Sequence, residues 1–390
     1  MKRREFLWKS AFGAGATVAL EGCGSKEEGL IPLLVPEEEL IPGTEYWTSS
    51  VCGQCPAGCG ILVKTMLGEA ATIVQGKPAR VKVRQAKKIE GNPDHPLNRG
   101  KLCARGQAGL NVLYNPDRLR GPLKRTGARG SGQYEEISWE DALTTVITQL
   151  RDLNESNEGH KLLFFSGNLA GHKQILVERF LRAFGSPNHF VYELFSDQMV
   201  KHANLLTSGE EDLAGYDVEN AKYVLSFGAS FLETWRSPVH FSLGLGNLRQ
   251  GQPGFRGKLV QVEPRLSLTA ANADEWLPVK PGTEGVLAMG LANVILREDL
   301  HDREFVQAHC RNFENFRKVA IEEYGPQTVS EVTGLAADKI VRISREFARH
   351  RPALVLCGDS ATAHSNGIFT ATAAHALNAL MGNLDQPGGM

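Results

Sequence analysis

The chain has 390 residues, with 43 Lys and Arg against 44 Asp and Glu and a net charge of −1. Nothing in that balance suggests a nucleic-acid-binding or polybasic membrane surface, and 42 % hydrophobic residues gives two or three domains an ordinary globular core. Seven Cys is an odd count and does not read as a disulfide framework.

Residues 1–23 read as a targeting segment. Lys2-Arg-Arg-Glu-Phe-Leu7 has the form of a twin-arginine signal, followed by a moderately apolar run to Leu20. A basic-started surface helix is the alternative. Leu20-Glu-Gly-Cys23-Gly looks like a lipoprotein cleavage site with Cys23 as the lipidated residue. The apolar run is too short and Gly-rich for a lasting transmembrane helix. Residues 24–45, with several Pro and Glu37-Glu-Glu39, read as a linker.

Residues 46–110 carry the first chemistry. Cys52-Gly-Gln-Cys55-Pro-Ala-Gly-Cys59 places three thiols within eight residues, and Cys103 stands alone much later. Four Cys is the count that a [4Fe–4S] cube needs. Zinc also takes four thiolates, but its sites usually pair two short C-x2-4-C units. Gly53, Gly58 and Gly60 let the backbone wrap tightly around sulfur. Ile61–Met66 and Ala71–Val74 flank a Gly-containing turn and read as a hairpin. The basic stretch 76–88 is either a partner-docking face or a solvated strand pair.

From residue 111 onward strands and helices alternate. Ser138-Trp-Glu-Asp141 predicts a capped helix start, with Ala142, Leu143, Val146, Ile147 and Leu150 on one face. Lys161–Ser166, Tyr223–Gly228, Lys258–Glu263 and Ala353–Gly358 are continuous apolar runs. Such runs between helices predict parallel sheets covered on both faces. Cys310 and Cys357 are expected to be buried and reduced. In open parallel sheets, ligands sit beyond the carboxyl ends of strands. There the chain places Ser166-Gly167-Asn168, Gly228-Ala-Ser230, Glu263 and Gly358-Asp359-Ser360. The glycines would let backbone approach phosphate, and the Glu263 carboxylate would accept ribose hydroxyls.

Longer words carry a resemblance. Glu90-Gly-Asn-Pro-Asp-His-Pro-Leu-Asn-Arg-Gly-Lys-Leu-Cys-Ala-Arg-Gly106, then Asn115-Pro-Asp-Arg118 and Gly121-Pro-Leu123, resemble the amino-terminal segment of molybdopterin oxidoreductases. These enzymes carry molybdenum on two pterin guanine dinucleotides. The resemblance runs from about Tyr46 to the last residue. It implies an α/β fold: a small N-terminal [4Fe–4S] domain, then two parallel-sheet dinucleotide-binding-like domains, with the family's C-terminal barrel absent. The implied division is 46–110 for the cluster domain, 111–196 with 355–390 for an incomplete first α/β domain, and 197–354 for the second.

The resemblance also assigns residues. Cys52, Cys55, Cys59 and Cys103 would hold a [4Fe–4S] cluster. Glu263-Pro-Arg265, Ala273-Asp274 and Leu277 through Gly282-Thr283-Glu284 resemble a guanosine-holding segment, with Glu where the family usually has Asp. Asp274 and Pro281 alternatively only shape turns. Gly358-Asp359 through Asn366-Gly367 resembles a pterin-proximal loop. A metal-binding side chain follows the family's Gly-Ser-Pro-Asn word, present as Gly185–Asn188. No Cys follows it; Ser196 is the nearest candidate, and helix capping is its other reading. Arg105 lies where the family puts a basic residue between cluster and pterin, or is a surface Arg in a turn.

The implied cofactors are a [4Fe–4S] cluster and molybdenum-bis(molybdopterin guanine dinucleotide). The implied function is the N-terminal part, or a split subunit, of an exported oxidoreductase, membrane-associated on the periplasmic side. Its partners would be an iron–sulfur electron-transfer subunit, an integral membrane quinone-interacting subunit, and the missing C-terminal portion if split. Phe227-Gly-Ala-Ser-Phe-Leu-Glu-Thr-Trp-Arg-Ser-Pro-Val239 is similar to the branch with the iron–sulfur subunit of alternative complex III and polysulfide or thiosulfate reductase-like proteins. Members of that branch can lose the molybdenum, so a molybdenum-free electron-relay subunit is the alternative reading.

Overall fold

The computed structural model describes residues 45–74, 77–167, 169, 171–193, 196–250 and 255–390. The expected signal, Cys23, the linker up to residue 44 and Asn168 lie outside the described residues.

The chain divides into two compact units. The smaller takes the residues up to Thr48, Val63–Ile89 and Ala108–Arg118. Within it the Lys64 ammonium lies 2.7 Å from Glu45, and the Arg84 guanidinium sits 4.7 Å above the Tyr46 ring. The Ala86 N–H donates to the Tyr114 hydroxyl at 2.8 Å. The expected hairpin is built differently: Gly60–Val74 forms one uninterrupted strand, β2, after β1 (Glu45–Val51) and before β3 (Lys77–Gly91). The three form a sheet in the order β1-β2-β3. Gly68 therefore lies inside a strand, where its lack of a side chain does not by itself impose a turn.

The larger unit takes Ser49–Leu62, Glu90–Gln107 and Leu119–Met390. All four candidate cluster Cys belong to it. A short two-stranded sheet, β4 (Leu123–Arg125) and β5 (Tyr134–Glu136), precedes the helix α3 (Trp139–Glu155). The short helices α1 (Ala104–Gln107) and α2 (Gly109–Leu113) come before these strands. As expected, the Ser138 hydroxyl caps α3 by accepting the Asp141 N–H at 3.0 Å. The apolar face of α3 does not reach a core: it has no buried residue.

Two parallel sheets follow, as the apolar runs predict. β6 (Phe164–Ser166) pairs with β7 (His189–Val191) around the helix α4 (His172–Phe184). After α5 (Gln198–Ser208) come β8 (Tyr223–Phe227), α6 (Pro238–Gln250), β9 (Lys258–Val262), α7 (Leu268–Ala271) and β10 (Glu275–Leu277). Four helices then precede the last strand: α8 (Glu284–Arg297), α9 (Arg303–His309), α10 (Phe313–Glu323) and α11 (Pro326–Thr333). A fifth, α12 (Ala337–Arg349), leads into β11 (Ala353–Cys357), and α13 (Gly367–Leu380) follows.

The second sheet has the order β10-β9-β8-β11, parallel throughout. Residues 355–390 therefore do not complete residues 111–196: β11 hydrogen-bonds along β8, with Ala353 opposite Tyr223. The reason is burial. β8 and β11 are wholly inaccessible, and Leu225, Val355 and Cys357 share one core with Leu287, Leu291, Phe347 and Leu377 from α8, α12 and α13. Each such side chain contributes roughly 1.5–3 kcal/mol by leaving water. The outer edge of β11 is closed by amides. Asn378 accepts the Val355 N–H at 2.8 Å and donates to the Val355 carbonyl at 3.0 Å, and Asn383 donates to the Ala353 carbonyl at 2.8 Å. Cys357 is buried and Cys310 half-buried, both unpaired thiols.

One buried group couples this core to pH. His375 on α13 is 3 % exposed, and neither ring nitrogen has a hydrogen-bond partner among the described residues. Burial, and secondarily the Arg236 charge, hold its pKa down at about 4. The folded state thus binds the neutral ring, while the unfolded chain takes up a proton near pH 6.5. Its contribution is complete above pH 6.5 and is lost as pH falls toward 4, by roughly 1.4 kcal/mol per pH unit. Urea unfolding of the parent and of His375→Leu at pH 7 and pH 5 checks this. The stability gap should shift in favour of the variant at pH 5; an equal gap at both pH values would contradict it.

Candidate cluster site and strand-edge site

The cysteine loops are held by one side chain. Asn98 is fully buried. Its Oδ1 accepts the Gly60 N–H at 2.9 Å, and its Nδ2 donates to the carbonyls of Gly60 at 3.0 Å and Lys101 at 2.7 Å. This ties the backbone beside Cys59 to the backbone two residues before Cys103. The Asn92 N–H donates to the Gly60 carbonyl as well, and the Cys52 N–H donates to the Cys59 carbonyl at 2.8 Å, closing the first loop.

Cys59 lies near enough to Cys55, Cys52 and Cys103 for their charges to act on it. Burial, then the proximity of Cys55, Cys52 and Cys103, pushes the Cys59 thiol up to about 11. Deprotonation at neutral pH therefore needs a positive charge among the sulfurs, which bound iron provides. Among the described residues no three His, Cys, Asp or Glu side chains close on a point that one ion could occupy. The donor set fits a [4Fe–4S] cluster. Arg105, just beyond Cys103, reaches away from the loop: its Nη2 donates to the Glu233 carbonyl at 3.0 Å.

Glu233 lies in the loop after β8. Three ladder bonds carry the four-stranded sheet one residue past its strands: Gly228 N–H to Val262, Glu263 N–H to Leu277, and Gly358 N–H to Phe227. Gly228, Glu263 and Gly358 therefore stand side by side on the carboxyl edge. Gly167 ends β6 in the other parallel sheet. Gly282, Thr283 and Glu284 form the turn into α8 after β10.

The edge is more filled than expected. Gly228 has φ +64, and a Cβ there would lie 2.4 Å from the Ala361 nitrogen. A Cβ on Gly358 would lie 2.4 Å from Trp235 Nε1. Both glycines are required by the chain's own packing, whereas Gly167 and Gly282 face open space. Glu263 also differs from the free acceptor expected. It is 2 % exposed, with Oε1 taking the Ser267 N–H and Oε2 taking Gln261 Nε2, each at 3.0 Å, because the chain turns straight into α7.

The other expected contacts divide similarly. Arg265 donates to Glu233 at 2.5 Å. Ser230 is buried beside Asp359, and the Thr234 hydroxyl donates to Asp359 at 3.2 Å. Burial raises the Asp359 pKa, and the Thr234 and Ser230 hydroxyls pull it back. Asp274 caps the opposite end of the sheet, accepting the Leu259 N–H and Arg256, which is the structural reading of that residue. The Thr283 hydroxyl donates to the Lys280 carbonyl. Glu284 is buried, Oε2 has no partner among the described residues, and burial raises its pKa. That unused acceptor, beside the open backbone at Gly282, is of the chemistry that the polar edge of a guanine dinucleotide needs. Asn366 is exposed at the start of α13.

Ser196 is exposed, and its Oγ accepts the Gln198 N–H at 3.2 Å. Its neighbour Asp197 was not singled out by sequence. The Asp197 carboxylate accepts Trp235 Nε1 at 2.9 Å and Arg236 Nε at 3.4 Å. The Arg236 guanidinium lies over the rings of both Trp235 and Tyr216, at 4.5 and 5.1 Å. A Trp-Arg pair inside the word after β8 was the available signal.

Residues 118–390 match the family model described as Molybdopterin oxidoreductase, and residues 45–115 match the Molybdopterin oxidoreductase Fe4S4 domain. The chain is 28 % identical to the molybdopterin-containing subunit of arsenate respiratory reductase from Shewanella sp. (strain ANA-3), over 89 % of this chain and 42 % of that relative. It is 30 % identical to the molybdopterin-binding-like subunit of menaquinone reductase from Nitratidesulfovibrio vulgaris, over 90 % of this chain and 46 % of that one. The chain thus spans less than half the length of these relatives. Acetylene hydratase from Pelobacter acetylenicus shares the fold, with TM-score 0.65 and 24 % identity over 87 % of this chain and 44 % of that one.

Two substitutions test the geometry. Asn98→Ala removes three hydrogen bonds and strands buried backbone groups, at roughly 1–3 kcal/mol each. Iron retained after gel filtration should fall steeply, and undiminished iron would refute the clamp. Gly228→Ala should destabilise the fold by roughly 2–5 kcal/mol, from left-handed backbone strain plus overpacking. Gly167→Ala should leave the unfolding midpoint unchanged; equal effects would mean that the edge is not self-packed.

Proposed function

The chain belongs to the molybdopterin oxidoreductase family, and from that premise we propose that it is the cluster- and pterin-binding part of an exported oxidoreductase. In this reading electrons pass one at a time between pterin-bound molybdenum and a partner subunit. The family's cofactors are a [4Fe–4S] cluster and molybdopterin. The observation that carries the reading is the match of residues 45–115 to the family's Fe4S4 domain, with Cys52, Cys55, Cys59 and Cys103 inside it, and of residues 118–390 to its molybdopterin domain.

Cys52, Cys55, Cys59 and Cys103 would hold the cluster, which supplies reversible one-electron storage when bound. Asn98 holds their loops in register. Cys52, Cys55 and Cys103 are half-buried, so the sulfurs lie near enough to the surface for a docked acceptor. Arg105 and Lys101 place positive charge on the same loop, which favours the reduced, more negative state. At the strand edge, Gly167, Gly282 and Glu284 supply open backbone and an unspent acceptor for the dinucleotide. The proposed partners are an iron–sulfur electron-transfer subunit and a membrane subunit that handles quinone. Export rests on Arg3 and Arg4 in the leading twin-arginine word. Among the described residues no helix is long and apolar enough to cross a membrane.

A second reading is favoured by two observations. Ser196 and Asp197 are both engaged by the chain itself, and Trp235 fills the edge at Gly358. In that reading the chain keeps its cluster and relays electrons within a quinol-oxidising complex without molybdenum. The similarity to a molybdopterin-binding-like subunit points the same way.

Metal analysis of the assembly purified from its producing cell separates the two. The first reading expects iron for one cluster and one molybdenum per chain. Iron without molybdenum supports the relay, and the absence of both metals would sink both readings.

A further inference from the structure

The turn between α9 and α10 leaves several polar groups unused. Helix α10 begins after Asn312, whose backbone is left-handed, φ 59 and ψ 24, and whose side chain does not cap the helix. The Asn312 Oδ1 accepts from the Asn315 side-chain amide instead. The first backbone bond of the helix runs from the Phe316 N–H to the Asn312 carbonyl at 3.3 Å. The N–H groups of Phe313, Glu314 and Asn315 therefore have no acceptor among the described residues. A helix start in this condition offers free donors and a positive partial charge.

Phe313, Glu314 and Asn315 line a cavity of about 520 Å³, together with His301 and Arg303. His301 is an independent sign of a ligand. Its side chain is only 9 % exposed, yet its Nδ1 has no hydrogen-bond partner among the described residues. Asp299 Oδ1 stands 3.6 Å away, beyond hydrogen-bond reach, and is taken by Arg303 Nε at 2.8 Å. The Phe313 ring packs against the imidazole with centroids 5.4 Å apart and holds it in the cavity wall. A buried polar atom left idle in such a wall calls for a partner. The nearby acids are each engaged: Asp299 by Arg303, Asp302 by the Phe305 N–H and Arg351, and the exposed Glu314 by Arg317 at 3.8 Å.

We propose that this cavity binds a small oxyanion of the phosphate or sulfate class, held by the N–H groups that open α10 and by His301 Nδ1–H, with Arg303 beside it. Helix starts hold such anions through the same donors. None of these residues belongs to the cysteine loops or to the carboxyl edge of the sheet, so the site stands apart from both electron-transfer readings. Binding is linked to pH through His301. Burial, then the Arg317 and Arg351 charges, hold its pKa below the ordinary value, against the pull of Asp302. A bound anion favours the protonated ring, so binding takes up a proton and tightens as pH falls.

Equilibrium binding of radiolabelled phosphate and sulfate to the purified full assembly, at constant ionic strength set with chloride, tests the proposal. One saturable site per chain is expected. Sulfate keeps its charge between about pH 5 and 8, so tighter sulfate binding at the lower pH reports the protein's own proton. His301→Gln should weaken binding about tenfold or more and flatten that pH dependence, since a charge-assisted hydrogen bond is lost. Asn312→Asp puts a carboxylate where the anion would sit, so it should abolish binding while the thermal midpoint stays or rises, because Asp also caps the helix. That variant separates a lost site from a lost fold. A phosphate monoester that binds more tightly than inorganic phosphate would identify a phosphorylated molecule as the source, and one that binds no better would identify the free ion. No saturable binding, displacement by equimolar chloride, or unchanged binding in both variants would overturn the proposal.

Discussion

A single buried amide sets the geometry of the cluster loops. Gly60 follows Cys59, and Asn98 lies 38 positions further along the chain. The Asn98 side chain meets both the N–H and the carbonyl of Gly60 and also the Lys101 carbonyl, so the stretch before Cys103 is tied to the stretch after Cys59. A neutral amide suits this place. It satisfies donor and acceptor together without bringing a charge beside four sulfurs that must become thiolates. Arg105 then joins the same loop to Glu233, and Glu233 in turn takes Arg265 and the Leu268 N–H. The cysteine loop, the loop after β8 and the loop after β9 are thereby fixed as one frame.

Charge at the carboxyl edge is arranged in local pairs. Asp197 takes Arg236, Glu233 takes Arg265, and Glu263 is hydrogen-bonded by the N–H groups of Gln261 and Ser267. Arg236 has a left-handed backbone, φ 50, an uncommon state for a residue with a side chain. Its guanidinium is fixed by two aromatic rings, a carboxylate and the Ala214 carbonyl, which together outweigh the backbone cost. These pairs leave Glu284 with a buried carboxyl oxygen that has no partner among the described residues, in the turn that the family resemblance associates with guanosine.

Several parts of this arrangement were legible in the sequence, for physical reasons. Three Cys among Gly and Pro have few uses besides metal binding. Apolar runs ending in Gly or an acid define parallel strands, and β8, β9 and β11 lie where those runs do. Ser138 with Asp141 gave the start of α3. Strand order was not legible, because the period of a strand reports which faces are buried and not which neighbour it bonds. Hence β11 was assigned to the wrong sheet. The reason for Gly228 was also hidden: a glycine that admits a ligand and one that admits the protein's own loop look alike in sequence. The stripe on α3 was read correctly as apolar, but periodicity cannot say whether its cover comes from the same residues.

The closing strand of the main sheet has a consequence for how the chain folds. β11 meets β8 across 130 residues, with Ala353 opposite Tyr223, and the amides that seal its outer edge come later still, at Asn378 and Asn383. Loop-closure entropy must be overcome before that pairing is rewarded, so this is the slow, non-local step of the topology. A growing chain that has reached only Arg351 presents the β8 edge to its surroundings without its partner. Until β11 and α13 have emerged, that edge is an unpaired strand of the kind other chains can add to.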